Sequence, residues 1–97
     1  MYISRLARPE TFGKLSSEDE KAVEKHFDYL GNALKRDQLV LAGRCNDEGL
    51  GMVIFETGSL LEAQTFMEND PAVAANVMTA ELHPFRVALS RKYVKGE

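Results

Sequence analysis

His26 and Asp70 are the two side chains best suited to moving a proton. An imidazole changes charge near neutral pH, so it serves as a general acid or base. His26 falls three residues after Val23 and four before Leu30, which puts it on or beside the apolar face of a helix. A carboxylate that accepts the proton of one ring nitrogen fixes the tautomer and makes the other nitrogen the better base. Asp28 lies two positions from His26 and points elsewhere on the helix. Asp70, in Asn69-Asp70-Pro71, can reach the ring only through the fold. Each residue also has a plainer reading. His26 fits a core-edge histidine bonded to a backbone carbonyl, and Asp70 fits the N-cap of a short helix beginning at Pro71. The two roles of Asp70 are compatible, because one oxygen can cap while the other meets the ring. The functional reading requires that both side chains become neighbours lining one hollow.

Arg5 and Arg44 are candidates for holding an anionic part of a substrate. Arg5 falls inside the first strand, where a guanidinium needs a carboxylate from a ligand or from the chain itself, Glu56 or Glu81. Arg44 borders a hairpin loop and can equally be solvated. His26, His83 and Asp70 have the composition of a two-histidine, one-carboxylate iron site, but no local spacing supports it. Neither a metal nor an organic cofactor is expected. Cys45 is the single cysteine, which excludes an internal disulfide and a Cys-rich zinc site, and nothing marks it as a reactive thiolate. Gly49-Leu50-Gly51 lies between two strands rather than between a strand and a helix, so it is no phosphate-binding loop.

The frame that must position these groups is small. A chain of 97 residues is read as a single domain, residues 1–97. The net charge of −3 is spread along the chain, and with no basic stripe neither nucleic acid nor an anionic membrane is an expected partner. Apolar runs reach only four residues, as in Leu39 to Ala42, far short of the roughly 20 a membrane span needs. The opening residues lack the basic-then-apolar layout of a secretion signal, and a cytoplasmic location is expected.

Tyr2 to Ala7 reads as a first strand, ended by Arg8-Pro9, with a loop to Ser16. Ser17 with Glu20 forms a capping box for a helix carrying Ala22, Val23, Phe27, Leu30 and Leu34 at helical spacing. Leu39–Arg44 and Gly51–Glu56 read as a hairpin across a turn rich in Asn, Asp and Gly. Ser59 with Glu62 caps a second helix, and Asp70-Pro71 restarts a short one over Ala72 to Val77. A last strand spans Met78 to Leu89, with an apolar phase change at His83-Pro84 that predicts a β-bulge there. A polar tail runs from Arg91 to Glu97.

The order β-α-β-β-α-β predicts an α+β, ferredoxin-like fold: a four-stranded antiparallel sheet with two helices on one face. The second and third strands are apolar at both parities, so the other face also wants cover. A second copy of the same sheet, in a homodimer with the sheets face to face, is the simplest cover.

The segments His26-Phe27-Asp28-Tyr29-Leu30, Leu39-Val40-Leu41-Ala42-Gly43-Arg44, Ser59-Leu60-Leu61-Glu62-Ala63, Asn69-Asp70-Pro71-Ala72-Val73 and Pro84-Phe85, in this order, resemble the YciI-like (YCII-related) family. The resemblance covers roughly Tyr2 to Leu89. It implies a ferredoxin-like fold assembled as a dimeric α/β barrel, and a cleft with a histidine and an aspartate as an active-site pair, here His26 and Asp70. It fixes no substrate. The segment Arg8 to Ser16 is longer and more polar than in the shortest family members, and Lys35-Arg36-Asp37-Gln38 replaces the usual glycine before the second strand.

Two functions follow as expectations. One is a small cofactor-independent enzyme of isomerase or lyase type, with His26 moving a proton on a small cyclic or carboxylated molecule. The other is a non-catalytic ligand-binding or regulatory module using the same cleft.

Overall fold

The computed structural model describes residues 1–91. Four strands, β1 (Tyr2–Leu6), β2 (Leu39–Arg44), β3 (Gly51–Phe55) and β4 (Met78–Leu82), form an antiparallel sheet in the order β2-β3-β1-β4. Helix α1 (Ser17–Lys35) connects β1 to β2. Helices α2 (Leu60–Glu68) and α3 (Pro71–Ala74) connect β3 to β4. This is the ferredoxin-like α+β arrangement.

The core forms where one sheet face meets α1 and α2. Tyr2, Val53, Phe55 and Leu39 from the sheet pack against Leu30 and Ala33 of α1 and Phe66 of α2. Phe66 and Phe55 lie 4.5 Å apart between ring centroids, and the Tyr2 ring meets both edge-on. Strand alternation then puts Tyr2, Ser4 and Leu6 on the helix side, and Ile3 and Arg5 on the outer side.

Some boundaries differ from the sequence reading. The N-cap of α1 is Ser16, one residue earlier than expected, and its hydroxyl accepts from the Asp19 amide at 3.1 Å. Ser59 caps α2 as expected, but the Glu62 carboxylate accepts from the Gly58 amide, one residue before the cap. Within the Pro9 loop, residues Pro9–Thr11 make one 3₁₀ turn. The restarted helix ends at Ala74 rather than Val77.

The last strand stops at Leu82, not Leu89. Backbone pairing with the first strand continues through His83, whose amide donates to the Met1 carbonyl at 2.8 Å and whose carbonyl accepts from the Met1 amino group at 2.9 Å. Pro84 then lacks a donor, and Phe85, Val87 and Leu89 are exposed. The described bulge lies in β2 instead: Leu39 pairs with Phe55 and Leu41 with Ile54, leaving Val40 as the extra residue. The predicted tail, apart from Arg91, falls outside the described residues.

Candidate functional site

The register of α1 decides where His26 goes. The buried stripe of the helix is Ala22, His26, Leu30 and Ala33, spaced by three or four residues, so His26 sits within it. Phe27 and Leu34, read from the sequence as part of that stripe, are 63% and 46% exposed.

Asp70 arrives from the opposite direction. As N-cap of α3 it accepts the Ala72 amide on Oδ1 at 3.0 Å, the cap that Asp-Pro predicts. Because α3 packs beside α1, the same carboxylate faces the ring. His26 Nδ1 lies 2.8 Å from Oδ1 and 2.6 Å from Oδ2. The Tyr2 hydroxyl donates to Oδ2 at 2.6 Å. Three donors thus converge on one carboxylate, and Asp70 is completely buried.

These contacts fix the proton inventory. With Asp70 ionised the carboxylate only accepts, so Nδ1 carries a ring proton, and in the neutral imidazole Nε2 then holds the lone pair. Burial, with the hydrogen bond to Asp70 and its charge in second place, pushes the Tyr2 hydroxyl far above the usual phenol range. Tyr2 therefore stays a donor. Burial also raises Tyr29, assisted by the Asp70 charge, and its hydroxyl donates to the Phe66 carbonyl at 2.7 Å.

His26 also lines a cavity of about 960 Å³ between α1 and the sheet. Val23, His26 and Leu30 form its helical wall, and Ser4, Gly51 and Val53 its floor. Phe12 and Leu15, from the long segment after β1, also line it. That segment is tied down at two points. Arg8 pairs with Asp19 at 2.9 Å, and the Phe12 ring rests on Gly49, whose φ of +73° needs a glycine and whose missing Cβ makes room for the ring.

Asp70 does not line this cavity. The expectation that both side chains face one hollow holds for His26 alone, and the carboxylate sits one layer behind the ring. Arg44 does line it. Arg5 lies outside, on the outer sheet face, 3.7 Å from Glu81, one of the two internal partners considered for it. His83 is 3.4 Å from Glu81 rather than near His26. Among the described residues no group of three His, Cys, Asp or Glu is placed to hold a metal ion, and no helix is long and apolar enough to cross a membrane.

The family model of the YCII-related domain matches residues 2–86. The chain belongs to the YCII-related family. Among solved structures, this YCII-related chain is similar to the 5-chloro-2-hydroxyhydroquinone dehydrochlorinase TftG of Burkholderia phenoliruptrix AC1100 in complex with 2,5-dihydroxybenzoquinone. The two share 21% identity and a TM-score of 0.60, over 86% of this chain and 91% of the other. At that identity the likeness establishes a common fold. Among curated proteins, none matches.

Two residues of the YCII-related site were not singled out from the sequence, Tyr2 and Ser4. The signal was present in strand parity. A tyrosine on the core-facing parity of a central strand needs a partner for its hydroxyl, and a serine two residues on shares its face.

Proposed function

We propose that this protein is a small-molecule enzyme in which His26 transfers a proton. Nε2 takes a proton from a small, oxygenated, cyclic or carboxylated substrate. The electron pair left behind either expels a leaving group or shifts a double bond, and in the second case the proton returns at another atom. Asp70 holds the ring through Nδ1–H and stabilises the imidazolium that forms. Tyr2 and the Ala72 amide hold Asp70. The step asks for no metal or organic cofactor. The observation carrying the reading is the buried His26–Asp70 contact together with the place of His26 in the cavity wall.

The TftG likeness supports the same class. A dehydrochlorinase removes a proton and a chloride, which is a proton-transfer elimination. Arg44, at the cavity, is the proposed anchor for an anionic group; Arg5 is proposed to do so only from the outer face. A homodimer, with outer sheet faces packed together, is part of the proposal.

The test is chloride release from chlorinated hydroxyhydroquinones, together with deuterium uptake by small cyclic ketones and lactones in D₂O. The wild type is expected to accelerate at least one of these, and His26→Gln to lose about 10²–10⁴-fold of that rate. Equal rates for both proteins would overturn the catalytic role of His26. Ligand binding without turnover would favour the non-catalytic module.

A further inference from the structure

Ser4 is a polar side chain that the proposed proton transfer does not use. It is 4% exposed, yet its hydroxyl makes no hydrogen bond to any described residue. No fully buried side-chain polar atom among the described residues lacks a partner, so the access of Ser4 Oγ is to the cavity it lines. A hydroxyl so placed is free to bond whatever occupies the cavity.

Its neighbours across the sheet explain what it faces. Ser4 pairs with Gly51, and Gly51 with Arg44, so the three form one row on the helix side of the sheet. Gly51 is the middle of the row and has no side chain. A Cβ there would collide with Ser4 Oγ, which shows that the hydroxyl leans over the glycine. The Gly51 backbone has no positive φ, so the notch and not the conformation is what glycine supplies. Arg44 reaches this side only because the Val40 bulge shifts the parity of β2 by one residue. Among the described residues Arg44 has no ion-pair partner. Two strand spacings, about 10 Å, separate the backbones of Ser4 and Arg44, enough for a six-membered ring and its substituents.

We infer that Ser4 and Arg44, on either side of Gly51, form an oxyanion-binding subsite of the His26 cavity. Its ligand is a small ring molecule bearing a carboxylate or an ionised enol or phenol. The serine hydroxyl donates to that oxygen and the guanidinium neutralises it. The inference deepens the proposed function, resting on the same cavity, and places the charged end of the substrate on the sheet while its reacting atom meets the helix.

The test separates the subsite from the proton transfer. Benzoate and 2,5-dihydroxybenzoquinone serve as oxyanion probes, with benzyl alcohol as the uncharged match, and binding is followed by amide chemical shifts and calorimetry. Both oxyanions are expected to perturb Ser4, Gly51 and Arg44. Ser4→Ala should weaken them about five- to tenfold while leaving the melting temperature unchanged or higher, since no protein hydrogen bond is lost. Arg44→Gln should weaken the oxyanions about tenfold or more and leave benzyl alcohol unaffected. Gly51→Ala, which fills the notch, should abolish oxyanion binding even with Ser4 present. Carboxylate and enolate ligands are told apart by which probe responds more to Arg44→Gln. The inference is overturned if neither oxyanion perturbs the row at millimolar concentration, or if Ser4→Ala binds both as wild type does, whatever its stability. His26→Gln is expected to retain probe binding, so loss of turnover in that variant, or its absence in the wild type, leaves the subsite standing.

Discussion

The Tyr2 hydroxyl donates at 2.6 Å to the Asp70 oxygen Oδ2 that also faces His26 Nδ1, joining residues 68 positions apart in the chain. The Tyr2 ring is gripped by Phe55 and Phe66, so the aromatic core itself aims the hydroxyl. The candidate site is therefore built outward from the core: aromatic cluster, tyrosine, carboxylate, imidazole, cavity.

Replacing Tyr2 by phenylalanine should remove one charge-assisted hydrogen bond from a fully buried carboxylate while keeping the ring packing. The expected loss is about 1.5–3 kcal/mol of unfolding free energy, measured by urea denaturation. A change below a few tenths would show that the hydroxyl is not carrying the carboxylate.

Alkaline pH should destabilise the fold through the same residue. Its pKa is raised by folding, above the ordinary value of 10.0. Below pH 10 the tyrosine is protonated in both states and the contribution is intact. Above pH 10 the unfolded chain binds fewer protons than the native one, so stability falls as pH rises, by up to about 1.4 kcal/mol per pH unit for one group. Tyr29 acts in the same direction. Denaturation midpoints between pH 9 and 11.5 should fall less steeply in Tyr2→Phe than in wild type, and identical slopes would contradict the assignment.

Asparagine at position 70 should reverse the imidazole. Its amide oxygen can still cap Ala72, but its NH₂ then faces the ring and must donate to Nδ1, which moves the ring proton to Nε2. The cavity would then meet a donor instead of a base. Imidazole nitrogen shifts should report Nδ1–H in the wild type and Nε2–H in Asp70→Asn. Any His26-dependent turnover should fall about 10³–10⁴-fold, and stability by about 3 kcal/mol. The same tautomer in both proteins would disprove the orienting role.

Much of this was legible in the chain, for physical reasons that differ from residue to residue. Helical spacing put His26 near a buried stripe and Asp-Pro put Asp70 at a cap, because both signals are local. Their contact was suggested by the chemistry of the two residue types and by a family resemblance, since no local rule predicts how α3 packs against α1. Arg44 was named, but its side of the sheet depends on the Val40 bulge, and β2 alternates too weakly to reveal the extra residue. The bulge expected at His83-Pro84 rested on an apolar phase change that in the structure belongs to exposed chain beyond β4. Ser4 looked like an ordinary strand serine; only the cavity beside it and the empty position at Gly51 give it a role.

The outer sheet face supplies the last prediction. Ile3, Leu41, Met52 and Ile54 lie on the parity that points away from the helices, and Leu41 and Met52 are 49% and 36% exposed. Arg5 and Glu81 sit on the same face, so it is apolar toward β2 and β3 and charged toward β4. A two-fold pairing would bury the apolar part and keep the ion pair at the rim, where it costs little. Light scattering at micromolar concentration should give twice the chain mass, and Met52→Lys, which sets like charges against each other across the axis, should shift the protein to the chain mass. Because Met52 faces away from the aromatic core, that variant should keep its helical circular dichroism. A wild type that scatters as a single chain would refute the face-to-face pairing.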